Sequence, residues 1–311
     1  MSDGVGAEVE DTYAEGFRSI YAEVLITARD RKWLDHAVNK ATGNACSTIL
    51  CDCEAGLDRY VGPGGDESFA TPDGRPGAIV QFHMPQFRKD RLVALERALL
   101  VRISQNVLTC PTTRCFNLID SPEYFKLGKK IAYFGDGHQE RQTRFGRKVW
   151  VIPTMGGDFV VDRRFGFASG VMGGNLWFMG ATEEAAIEAA ERAAAAVWQS
   201  GPDTILTFPG GVASSASKAG SKYKFLIAST YAEYCPTLRE KLGDKSRLPA
   251  GVASVMEIVV NGKNIAAISA ATQAAIKAAA PTPGLLKITA GNYGGRLGKS
   301  FIWLKPELHA T

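Results

Sequence analysis

The sequence predicts an α+β fold of two ferredoxin-like split βαβ lobes joined by a hairpin-rich segment. Three observations carry this expectation. Strand-like and helix-like patterns follow one another as βαβ, then βαβ, in each half of the 311 residues. The two halves close on similar strands, LLVRISQNV at 99–107 and LLKITAGNY at 285–293. Between them, glycine-punctuated extended stretches read as hairpins. The expected boundaries are an N-terminal lobe at 1–120, a connecting segment at 121–172 and a C-terminal lobe at 173–311. A single mixed sheet is the alternative architecture.

In the first half, Tyr21 to Ala28 reads as a strand. Asp30 to Thr42 reads as a helix with Trp33, Ala37, Val38 and Ala41 on one face and Gly43 ending it. Ala45 to Cys53 reads as a second strand, and Glu54 to Gly77 as a Gly/Pro-rich loop. Ala78 to His83 is extended, Phe87 to Leu100 helical and Ile103 to Thr109 extended. The middle offers KIAYFGDG (130–137), RKVWVIP (147–153) and DFVVD (158–162) as hairpin strands. In the second half, Leu176 to Ala181 is a strand, and Thr182 caps a helix that runs to Gln199. Thr204 to Phe208, Val252 to Val260 and Leu285 to Ala290 are strands around a helix from Ile265 to Ala280. Phe301 to Leu304 is extended.

Composition bounds the function. Hydrophobic residues at 45% with 22% charged describe a globular chain. The apolar Ala-rich run 185–197 is interrupted by Glu188, Glu191 and Arg192, so no membrane span is expected. The acidic N-terminus lacks a signal-peptide pattern, which points to the cytoplasm. The six cysteines form no C-x-x-C pair and the four histidines are scattered, so no metal site is expected. Residues 1–120 carry 13 Lys/Arg against 17 Asp/Glu, and the remainder 23 against 15. That dispersed surplus argues against a nucleic-acid binder and suits an acidic small molecule or partner.

Phe208 to Thr230 contains Gly210, Gly211 and Gly220, six Ser/Thr, and Lys218, Lys222 and Lys224, with no acidic residue between Asp203 and Glu233. Coming directly after a strand, it reads as an anion or carboxylate site. The motif GGRLGKS (294–300) lacks the first glycine of a phosphate loop and is followed by an extended stretch, not a helix. It reads as a Gly-rich turn into the last strand. In VASVMEIVVNG, alternation places Glu257 with Val255 and Val259 on one strand face. A carboxylate buried there would have a raised pKa and suit general acid–base work, whereas one on a solvent-facing side would not. Asp58 and Asp73, in Gly-rich stretches, read first as turn caps.

Laid in order, EDTYAEGF (10–17), VLITA (24–28), EAGLD (54–58), TPDGRPG (71–77), FGDGHQE (134–140) and GRKVWVIP (146–153) are joined by a second series. That series is GVMGGN (170–175), FPGG (208–211), ASKAGSKYKFL (216–226), YCPT (234–237), MEIVVNG (256–262) and AGNYGG (290–295). Over nearly its whole length the chain resembles the formylmethanofuran:tetrahydromethanopterin formyltransferases. It is most similar to the bacterial branch, whose members serve as one subunit of a formyltransferase/hydrolase complex. The resemblance implies formyl transfer between methanofuran and N5 of tetrahydromethanopterin in one-carbon metabolism (formaldehyde oxidation), with both carriers as co-substrates and no metal or nucleotide. It implies Glu257 as the catalytic carboxylate and a substrate site that includes Phe208, Pro209, Gly210, Gly211, Ser215, Ser217, Lys218, Ser221, Lys222, Tyr223, Asp58 and Asn292. The lysines would hold the acidic tail of methanofuran. The expected partners are further copies of the chain, as a dimer or tetramer, and hydrolase subunits, not nucleic acid or membrane. The alternative role is a mainly structural docking subunit of such a complex.

Overall fold

A computed structural model describes residues 6–214 and 217–309. In chain order the elements are β1 (Glu8–Val9), β2 (Tyr13–Thr27), α1 (Arg31–Thr42), β3 (Glu54–Val61), β4 (Gly77–Pro85), α2 (Arg91–Arg102), β5 (Arg114–Asn117), β6 (Tyr124–Phe125) and α3 (Leu127–Ala132). Then come β7 (Glu140–Arg144), β8 (Arg147–Thr154), β9 (Gly157–Asp162), β10 (Phe165–Gly166), β11 (Ala168–Gly180), α4 (Glu183–Gln199), β12 (Thr204–Leu206), β13 (Ser217–Ala219) and β14 (Ala228–Thr230). The chain finishes with α5 (Arg239–Leu242), β15 (Ser254–Gly262), α6 (Ile265–Ala279), β16 (Leu285–Thr289) and β17 (Ser300–Trp303).

The chain divides into two compact units, residues 19–170 and residues 1–18 with 171–311. In the first, β2, α1, β3, β4, α2 and β5 form a split βαβ repeat, with strand order β3–β4–β2–β5 and every pair antiparallel. The meander β7–β8–β9 extends it, β9 lying parallel to β5. Phe82, Met84, Leu95, Leu99 and Ile131 lie in its core.

The second unit repeats the plan with β11, α4, β12, β15, α6 and β16, in the order β12–β15–β11–β16, again antiparallel throughout. Outside β16 lies β1, parallel to it, and β17 pairs with the first residues of β2. The two helices meet through small side chains. Ala186, Ala189, Ala193 and Ala194 of α4 are buried, as are Ala271, Ala275 and Ala279 of α6. The expected Thr182 cap is present, Ala185 N donating to Thr182 Oγ1 (3.1 Å), and α6 is capped likewise, Ala267 N donating to Asn264 Oδ1 (2.9 Å).

The two ferredoxin-like repeats are as expected, but several elements differ. Ala45 to Cys53 is not a strand; the strand is β3, inside the expected loop. Its polar residues Glu54 and Asp58 are buried and bonded, to Thr48 and to Gln81 and Arg59, which hides the strand from a hydrophobicity reading. Residues 103–107 continue α2 as a π turn, Leu108 N reaching Ile103 O at 2.8 Å. KIAYFG belongs to α3 and the 3₁₀ turn after it. There Gly128 lets the helix lie against β9, since a Cβ on it would sit 2.1 Å from Asp162 O. Residues 1–18 join the C-terminal unit, not the N-terminal lobe, because β1 and the start of β2 find their partners in β16 and β17. The segment 121–170 lies within the first unit.

Candidate active site

Glu257 lies at the middle of β15, opposite Trp177 of β11 on one side. On the other side β12 pairs only with residues 260–262, and the chain then swings out through Pro209–Gly211. It returns so that Ala213 exchanges both backbone bonds with Glu257, at 2.7 and 2.8 Å. Gly210 and Gly211 make that detour at φ 59° and 80°. A Cβ on Gly211 would also meet Leu206 Cδ1 at 2.7 Å. The strand face carrying Glu257 does not face solvent. It is covered by Trp177, Met179, Leu248 and Val252, with Tyr231 and Tyr234 edge-on to the Trp177 indole.

Glu257 is 6% exposed, and its Oε1 accepts from Asn175 Nδ2 and Trp177 Nε1, both at 2.9 Å. Burial pushes its pKa up to about 7, against the opposing pull of those two donors. With both donors on Oε1, the proton of the neutral form belongs on Oε2. Tyr293 stacks on Tyr231, which meets the Trp177 indole edge-on. Burial, then the charge of Glu257, raises the Tyr293 phenol above its ordinary range, and its hydroxyl donates to Ser217 O at 2.6 Å.

The other expected residues fall into place unevenly. Phe208, Pro209, Gly210 and Gly211 form the turn next to Glu257, and the Gly211 N–H is spent on Phe208 O (2.9 Å). Ser217 and Lys218 lie on β13 of the hairpin β13–β14; Lys218 pairs with Glu233 at 3.5 Å and lies over the Tyr231 ring. Ser221 accepts from Tyr223 N (3.1 Å), while Lys222 lies over the exposed Tyr223 ring. Ser215 lies outside the described residues. Asn292 donates to Thr12 Oγ1 at 2.8 Å. Asp58 belongs to the first unit, where it accepts from Gln81 and Arg59. Among the described residues no group of three or more His, Cys, Asp or Glu could hold a metal ion, and no helix is long and apolar enough to cross a membrane. Residue-level reading missed Asn175 and Trp177 as partners of Glu257, with Tyr231 and Tyr293 stacked behind Trp177; the i, i+2 pairing of Asn175 and Trp177 on one strand was the available signal.

Sequence models of formylmethanofuran–tetrahydromethanopterin formyltransferase match residues 3–154, and of its proximal lobe residues 157–306. The chain belongs to this family. It is 45% identical over 296 residues to the formyltransferase of Methanosarcina mazei, covering 94% of this chain and 96% of that one. The enzyme of Methanocaldococcus jannaschii is 44% identical over 300 residues, with coverage of 94% and 95%. Among solved structures, the Methanosarcina barkeri formyltransferase superposes with a TM-score of 0.89 at 42% identity, over 98% of this chain and 99% of that one. A chain of the formyltransferase/hydrolase complex from Methylorubrum extorquens, solved with methylofuran, gives 0.87 at 38% identity, over 97% of each.

Proposed function

We propose that this formyltransferase moves a formyl group between the amine of methanofuran and N5 of tetrahydromethanopterin, with Glu257 as the proton shuttle. The observation that carries the mechanism is the Glu257 carboxyl, buried, with a pKa near neutrality and one oxygen fixed by Asn175 and Trp177. N5 attacks the formyl carbon, the carbonyl oxygen becomes an oxyanion, and a tetrahedral intermediate joins both nitrogens. For this intermediate to pass the formyl group on, a proton must leave N5 and another must reach the departing methanofuran nitrogen. A neutral carboxyl near its pKa can do both, giving its Oε2 proton and accepting the other. The Phe208–Gly211 turn and the hairpin lysines supply the donor side, the ammonium groups meeting the acidic tail of methanofuran.

The same reading gives the chain a cytoplasmic setting and an oligomeric state, with further copies of itself and with hydrolase subunits as partners. Formation of N5-formyl pterin by the purified chain is the direct test. Glu257→Gln is expected to lower kcat at least 100-fold with KM within a few-fold, in the range of lost acid–base catalysis. Wild-type turnover is expected to fall as pH rises through about 7. Matched losses in turnover and binding would refute the shuttle.

A further inference from the structure

The Gly-rich connection between β16 and β17 lacks the full pattern of a phosphate loop, yet in the fold it is an anion cradle that the chain fills itself. Glu15, a residue only 1% exposed, accepts four backbone N–H bonds from this one loop through its carboxylate. Oε1 takes Tyr293 N at 2.5 Å and Gly295 N at 2.7 Å; Oε2 takes Leu297 N at 2.9 Å and Gly298 N at 3.2 Å. Gly294 and Gly295, at φ 65° and 73°, turn successive N–H groups to one side. Gly298 lies so close to β2 that a Cβ on it would sit 2.0 Å from Gly16 O. Burial alone would raise the Glu15 pKa, but the four donors hold it below the ordinary range. Without the carboxylate, these N–H groups would lose their acceptor in a largely buried setting.

The loop carries Tyr293. Its hydroxyl ties down the hairpin at Ser217 O, and its ring lies nearly parallel to Tyr231, which meets Trp177, a donor to Glu257, edge-on. We propose that Glu15 is a positioning residue for formyl transfer, its carboxylate latching the 292–298 loop and so fixing Tyr293 against the lysine hairpin and against Tyr231, whose ring supports the Trp177 donor of Glu257. The proposal rests on the transferase reading only for its kinetic consequence, since the latch itself can be measured without turnover.

Glu15→Gln keeps the side-chain length but replaces acceptor oxygen with an NH₂ that faces N–H donors. In the full chain, amide hydrogen exchange at Tyr293, Gly295, Leu297 and Gly298 should quicken at least tenfold, while the β15 amides keep their protection. Glu257, followed by its carboxyl infrared band, should titrate at lower pH as water gains access to it. In the transfer assay kcat/KM should drop at least tenfold, and the high-pH limb should move the same way. Unchanged exchange at 293–298, or an unmoved Glu257 titration, overturns the latch. If Glu15→Gln does not fold, Glu15→Asp withdraws the carboxylate by one methylene at constant charge, and the same two readouts decide in the same way. A wild-type chain without turnover would instead refute the transferase reading, leaving the exchange and infrared results to judge the latch.

Discussion

A carboxyl kept neutral inside a fold costs stability as soon as the solution would otherwise ionise it. For Glu257 the folded value is about 7 against an ordinary 4.5, so between these pH values the native state holds a proton that the unfolded chain has released. Stability therefore falls as pH rises across that window, and above it the cumulative loss is about 3 kcal/mol. Gln at 257 can still accept from Asn175 and Trp177 through its carbonyl, and it carries no such penalty. Glu257→Gln is thus expected to be more stable than the wild type above pH 7, with the gap closing below about pH 5. Urea midpoints at pH 5 and pH 8.5 check this, and a difference independent of pH would mean that Glu257 is solvated as an ordinary carboxylate. The group that performs the chemistry would then be one the fold holds at its own expense, as strained or desolvated active-site groups commonly are.

At the scale of elements, the β13–β14 hairpin separates binding from chemistry. Lys222 and Lys224 are exposed near its tip, beside Phe225 and Ile227 at 80% and 69% exposure. Cations there can hold an anionic tail without touching the reacting atoms. Lys222→Ala with Lys224→Ala should raise KM for the methanofuran donor several-fold, more at low salt than at high, with kcat within twofold. A fall in kcat at unchanged KM would place the hairpin in the chemical step. The same scale explains what the sequence could disclose. Strands that alternate regularly, such as β15, and helices such as α4, with its Thr182 cap, and the apolar α6 were legible. β3 was not, because Glu54 and Asp58 imitate loop residues until their partners are seen. Nor was the π turn after α2, where the β-branched Ile103 and Val107 suggest a strand. Glu257 stood out as a carboxylate among valines, but the reason for its burial comes from Trp177 and from the 231–252 segment. Glu15 could not be read as buried at all, since its donors lie at least 278 residues away in the chain.

For the whole molecule, the consequence of the discontinuous C-terminal unit is that its integrity depends on the other end of the chain. Ala14 belongs to the same core as Ile258, Ile288 and Ile302. Gly16 must stay small, since a Cβ there would meet Val171 Cγ1 at 2.9 Å. Residues 19–170 have their own core, built without the first 18 residues. A chain beginning at Arg18 would lose the partner of β16 in β1, the partner of β17 in the first part of β2, and the Glu15 latch between them. Such a chain should show amide exchange through 285–303 faster by at least tenfold, and proteolysis within 290–299, while β3 and β4 at 54–85 keep wild-type protection. Formyl transfer should be lost with it, because Tyr293 and the hairpin hang on the released loop. Equal loosening of both units would mean that they unfold as one cooperative body. Full protection of 285–303 would mean that the N-terminal strands add little to the unit in which they lie.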